Sequence, residues 1–279
     1  MNKRVTRHEL TNKDFFRRIY LETIQERLQI FLVAGRAQSR NLDLLVSNAS
    51  SVVTTGTALG IRGAEVVRCL RLLAQANTAL VAVAFRRPVT VPLDGEPVTY
   101  TTAPDESTVH TGCWFGGFFA ALVCRDGDSL DRLCAVPTDF FRRSSTRSSE
   151  YCYSFIEALR AFHLDRGSPV ELALQSMRLT DPDRDDIYDA EYTLYRVVHQ
   201  IRLFCLILAR DEDFGEALAL ALEDHKTYWS ADEDRLHNPD GFLPMELLGL
   251  AALAHDLDIP FEVESEYLPP EFVTGAAFE

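Results

Sequence analysis

From Asn12 to Ala34 the apolar residues Phe15, Phe16, Ile19, Tyr20, Ile24, Leu28, Phe31 and Leu32 recur every three or four positions, while Arg17, Arg18, Glu22, Glu26 and Arg27 take the other faces. That spacing predicts an amphipathic helix, closed by Gly35. A second helix is predicted over about 42–59, where the hydroxyls of "SNASSVVTTGTALG" compete for backbone hydrogen bonds. A third follows over about 64–85, with Val66, Val67, Leu70, Leu73, Ala74, Leu80 and Val81 as its stripe. "PVTVPLDGEPVTYTTAP" then breaks the helical period. Its β-branched residues flank an Asp94-Gly95 turn, which predicts a β-hairpin near 88–103 or an extended arm, and proline in both halves makes it an edge structure.

"TGCWFGGFFAALVC" is a short apolar helix whose Trp114, Phe115, Phe118, Phe119 and Leu122 belong in a core. Further helices are predicted over about 149–164 with Ser148 or Ser149 as cap, from Ser168-Pro169 to about Leu179, within "DPDRDDIYDAEYTLYRVVHQIRLFCLILARDED", which begins with carboxylates and ends as a long apolar-striped helix, and over about 213–228. Near the end the chain reads "PDGFLPMELLGLAALAHDLDIPFEVESEYLP". From Met245 to Leu257 only Glu246, His255 and Asp256 are polar, so this helix is buried on most faces; Pro244 opens it and Pro260 ends it. Strict alternation follows, with Phe261, Val263 and Tyr267 on one face and Glu262, Glu264 and Glu266 on the other, about 6.5–7 Å apart. The expected fold is mainly α: a multi-helix antiparallel bundle or helical-repeat-like stack, with the hairpin and a short C-terminal strand. A single helical domain over 1–279 accommodates this length, with a lobe boundary near 88–106 as the alternative.

Charge changes the picture more than composition does. Hydrophobic residues are 47% of the chain, an ordinary globular share. The net charge of -14 argues against a general nucleic-acid binder, which needs Lys and Arg to displace phosphate counterions. Residues 1–40 hold 9 basic and 4 acidic side chains, 41–180 hold 13 and 14, and 181–279 hold 6 and 24. The acidic last third would steer a positively charged protein into contact, or serve only to keep the chain in solution. The start, "MNKRVTRHELTNKDFF", lacks the apolar segment and cleavage site of a secretory signal, and no run approaches the roughly 20 apolar residues of a spanning helix. A cytoplasmic location without membrane contact is expected.

Candidate chemistry is sparse. Six cysteines show no C-x-x-C pair and read as reduced thiols. "DPDRDDIYDAEY" places Asp181, Asp183, Asp185 and Asp189 somewhat as a calcium loop does, but Asp186 stands where glycine is needed and Tyr192 where the final glutamate is. Capping of the next helix explains these carboxylates better. His225 and His237 lie among Glu223, Asp224, Asp232, Glu233 and Asp234 without the spacing that puts two ligands on one helix face. His255-Asp256 are neighbours that point in different directions on a helix. "TGTALGIRG" lacks the phosphate-loop lysine, and no G-x-S-x-G occurs. No catalytic residue, metal or cofactor is expected.

"YWS" at Tyr228–Ser230, a short acidic loop, and the "PDGFLPMELLGLAALAHDLDIPFEVESEYLP" run together resemble the C-terminal signature of the immunity protein 49 family of bacterial polymorphic toxin systems. The resemblance is densest over about 228–269 and is largely a packing motif. It implies a helical, non-catalytic protein that binds and neutralises a cognate toxin, met in the cytosol and expected to be basic. Asp232, Glu233, Asp234, Glu262, Glu264 and Glu266 are then the candidate toxin-binding residues. A helical scaffold, or a metal-dependent hydrolase built on His225 and His237, is the alternative.

Overall fold

The computed structural model describes residues 3–104, 109–181, 187 and 189–279, which form two compact units. The first strand, β1 (Lys3–Val5), belongs with the C-terminal half. One unit runs from Leu10 to Thr146 and includes Phe278; the other holds the described residues up to Glu9, Arg147–Ala277 and Glu279. The hairpin region lies wholly inside the first of these.

In the Leu10–Thr146 unit the predicted first helix is two helices, α1 (Lys13–Glu22) and α2 (Leu28–Ala37), joined by a π-helical turn over Thr23–Arg27. Gly35 does not close it. That glycine is buried inside α2, where a Cβ would lie 3.2 Å from Leu45, and the helix stops only where Gln38 turns extended. In α3 (Leu42–Ala58) the hydroxyls of Ser47, Thr54 and Thr55 donate to carbonyls four residues back, so they are satisfied without breaking the helix.

The following helix, α4 (Ala64–Phe85), is long and apolar enough to cross a membrane by length and composition, which corrects the expectation that no run comes near that length. Its most apolar window is 72% buried, between α3 and α5 (Thr111–Cys124). Gly117 permits the close approach of α5, since a Cβ there would stand 3.0 Å from Asn77. Trp114, Phe118 and Phe119 fill this core as expected.

Between α4 and α5 stands the predicted hairpin, β2 (Val89–Leu93) antiparallel to β3 (Glu96–Tyr100). Positive φ at both Asp94 and Gly95 gives the turn whose twist matches its strands. Pro92 faces Pro97, and no further strand joins the pair among the described residues. Helix α6 (Gly127–Cys134) packs on α4 and α5.

The other unit begins with α7 (Glu150–His163) and α8 (Pro169–Arg178), which pack on each other; Ser168 caps α8 by accepting the Glu171 N–H. A short α9 (Ala190–Tyr192), a second π turn over Thr193–Val197 and α10 (Val198–Ala209) make the next rod. Then come α11 (Phe214–Trp229), α12 (Glu233–Leu236) and α13 (Met245–Asp256). Pro260 is not the stop signal of α13. Asp258 takes a left-handed conformation, and Ile259 N–H returns to the Ala254 carbonyl, which ends the helix two residues earlier. Strand β4 (Val263–Ser265) is shorter than the alternation suggests and pairs in parallel with β1; α14 (Pro270–Val273) follows.

Candidate functional site

The C-terminal pattern is built around α11. Trp229 lies against Gly241, where an added Cβ would meet the indole at 2.8 Å, so only glycine fits. One turn earlier His225 donates its Nε2–H to the Gly241 carbonyl at 2.9 Å. Burial, reinforced by the Arg196 charge, pushes the His225 pKa down to about 3, so its imidazole is neutral. The Tyr267 ring stands edge-on to His225 at 5.0 Å. Its hydroxyl accepts the His8 N–H at 3.2 Å and donates to His8 Nδ1 at 2.6 Å. His8 packs on Phe242 at 4.2 Å, and burial followed by the Arg7 and Lys226 charges brings its pKa to about 4. Arg196 lies over Tyr192, Trp229 and Tyr228 at 4.9, 5.3 and 5.8 Å and 3.7 Å from Glu246. These residues are committed to one another. The signature holds α10, α11, α13 and the chain ends of this unit together.

The six acidic candidates are all exposed, on two separate supports. Asp232 caps α12: its carboxylate accepts the Arg235 N–H at 2.8 Å and pairs with the Arg235 guanidinium at 3.1 Å, which also reaches Glu191 at 2.8 Å. Glu233 and Asp234 occupy the first turn of α12, where negative charge suits the helix dipole. Glu262, Glu264 and Glu266 alternate outward along β4 and the residues that flank it, while Tyr267 is buried, as the periodicity predicts.

Their surroundings are not what the sequence shows. Lys3 N–H donates to the Glu262 carbonyl, Arg4 stands opposite Glu264, and Arg7 N–H donates to the Glu266 carboxylate at 2.9 Å. The carboxylate row is therefore flanked by a basic strand from the other end of the chain. Three residues, "KRV", carry no periodic signal by which β1 could have been found.

The remaining candidates resolve as structure. His225 has its Nε2 on a backbone carbonyl, and His237 Nδ1 contacts the Glu233 carbonyl at 2.7 Å. Among the described residues no group of three His, Cys, Asp or Glu side chains is arranged to hold a metal. Of the suspected calcium loop, Asp181 and Asp189 are described, Asp189 as a cap on Tyr192 N–H at 2.6 Å, while Asp183, Asp185 and Asp186 lie outside the described residues. His255 and Asp256, expected to diverge, meet at 3.2 Å on the surface. A pair went unseen in the sequence: the buried His199 on α10 and the half-buried Asp224 on α11, 2.6 Å apart. All six cysteines are free thiols, and burial raises the Cys69 pKa to about 12.

Comparison with curated proteins finds no match, and comparison with solved structures finds none either. A family model described as immunity protein 49 matches residues 62–272, from α4 to α14, well beyond the C-terminal signature. This chain belongs to the immunity protein 49 family.

Proposed function

We propose that this protein binds a cognate bacterial polymorphic toxin in the cytosol and neutralises it by occupancy, without chemistry of its own. The observation that carries this reading is the family match over most of the chain. The charge distribution supports a basic toxin, since the last 99 residues hold 24 acidic and 6 basic side chains. Such asymmetry allows association at up to about 10⁸–10⁹ M⁻¹s⁻¹ at low salt. A stable complex of this kind buries roughly 1,200–2,000 Å². The contact residues proposed are Glu262, Glu264 and Glu266 on and beside β4 and Asp232, Glu233 and Asp234 at α12, all accessible to a partner.

The test is co-purification of the tagged full chain from its producing cell, eluted under denaturing conditions with stoichiometry measured. One partner near one to one, toxic when expressed alone and harmless beside this protein, is the expected result. Many substoichiometric partners would favour a scaffold instead, and none at all would leave the family relation a statement about fold. With the toxin in hand, joint Glu262→Lys, Glu264→Lys and Glu266→Lys substitution is expected to slow association by about tenfold or more at low salt. Unchanged kinetics would move the contact off β4.

A further inference from the structure

Beyond the C-terminal end of α4 lies an open cleft of about 280 Å³, wholly inside the Leu10–Thr146 unit. Phe85, the exposed last residue of α4, and Phe140, in a 3₁₀ turn over Thr138–Arg143, line it edge-on to each other at 5.6 Å. Val109 adds to the apolar surface. A cleft of this size suits one large side chain better than a drug-sized ligand.

The charge of the lining has one sign. Arg87 and Arg143 are its only charged side chains among the described residues, and no carboxylate joins them. Arg87 uses only Nη1 to hold the fold, donating to the Val83 and Ala84 carbonyls at 3.0 and 3.2 Å. Those bonds position the guanidinium at the cleft. They also cover carbonyls of the last turn of α4, whose partial negative charge would repel an anion. Nε and Nη2 of Arg87 make no hydrogen bond among the described residues. Arg143 has no carboxylate partner there either; Asp139, from the same turn, pairs with Arg142 at 3.6 Å. Ser144 Oγ accepts the Thr146 N–H at 3.2 Å, which leaves its O–H as a further donor in the lining. Two uncompensated guanidinium groups select an anion, and the aromatic pair beside them selects one that carries an apolar group.

We propose that this cleft binds a small carboxylate whose apolar group lies against Phe85 and Phe140 and whose oxygens accept from Arg87 and Arg143. The ligand chemistry is that of a free aromatic or branched aliphatic acid, or of the last residue of a polypeptide. The site is separate from the toxin contacts proposed at β4 and α12, and its test needs no toxin.

Titration of the full chain with N-acetylphenylalanine, followed by ligand-observed NMR, is expected to show saturable binding with a Kd on the order of 1 mM. N-acetylphenylalanine amide, which lacks the charge, should bind about fivefold more weakly or worse. N-acetylglycine, which lacks the ring, should lose about tenfold or more. Arg143→Gln, at an exposed position with no ion pair to break, should weaken N-acetylphenylalanine by about fivefold. The peptide acetyl-Ala-Ala-Phe separates the two sources: affinity equal to or above that of the single residue assigns the cleft to a chain terminus, and weaker binding assigns it to a free acid. Asp105 and Glu106 stand in sequence between Pro104 and Val109, which both line the cleft. Equal binding by the wild type and a joint Asp105→Asn and Glu106→Gln variant supports a site open to ligand. Binding by that variant alone would mean that the chain's own carboxylates fill the site, and would overturn the proposal. So would no saturable binding at all, an amide that binds as well as the acid, or an Arg143→Gln variant with unchanged affinity.

Discussion

Gly241 has no room for a side chain, because Trp229 occupies the place of its Cβ at 2.8 Å. Overpacking of this kind forces backbone or rotamer shifts, so Gly241→Ala is expected to lose about 1–3 kcal/mol in urea unfolding. The same carbonyl is the partner of His225, a buried imidazole with a pKa near 3. In an unfolded chain its pKa is about 6.5, so falling pH protonates the unfolded state first. Stability should be full above about pH 6.5 and decline as pH falls toward 3, by about 1.4 kcal/mol per pH unit at most from this residue. His225→Gln, which keeps an N–H for Gly241, is expected to flatten that decline in melts between pH 7 and 4. An unchanged slope would assign it to other groups. The sequence placed His225 among carboxylates and so made it a metal candidate; its true partner is a backbone carbonyl 16 residues away, which side-chain spacing cannot reveal.

Elements were more legible than residues. Helices α3, α4, α5 and α11 and the hairpin follow from apolar period and turn chemistry nearly to their ends. Their interruptions did not, because a π turn at Thr23–Arg27 or Thr193–Val197 inserts a residue into an otherwise continuous stripe. How the hairpin is fastened was also hidden. Arg68 holds the Asp94 carboxylate through Nε at 3.0 Å and Nη2 at 2.7 Å, Gln75 accepts the Asp94 N–H at 2.7 Å, and Arg36 donates to the Leu93 carbonyl at 3.0 Å. The Arg68 guanidinium consequently holds the Asp94 carboxyl below its usual pKa. Asp94→Asn keeps a residue that tolerates positive φ and should destabilise by about 1 kcal/mol, whereas Asp94→Ala adds backbone strain and should cost about 2 kcal/mol. Denaturation curves give the totals. Faster amide exchange confined to residues 89–100 would localise the loss to the hairpin.

At the scale of the whole molecule, the charge asymmetry matters more than the net value. If the acidic last third steers a basic toxin, raising ionic strength from about 0.01 M to 0.5 M should slow association by about tenfold or more, because the screening length shrinks from about 30 Å to a few ångströms. Dissociation should change far less. Stopped-flow mixing separates the two; a salt-independent association rate would assign recognition to shape and apolar contact.

The sequence by itself determined the helical content, the hairpin, the burial of α13 and the outward face of the three glutamates, because each depends on periodicity or turn chemistry within one local segment. Only the tertiary structure decided that β1 pairs with β4, that Tyr267 binds His8 across 259 positions, and that basic residues stand beside the carboxylate row. Those pairings depend on which distant segments the shared core brings together. A three-residue strand has too few positions to announce its partner, and both strands of the pair pack on α11, a helix far from β1 in sequence and tied to neither strand by local pattern.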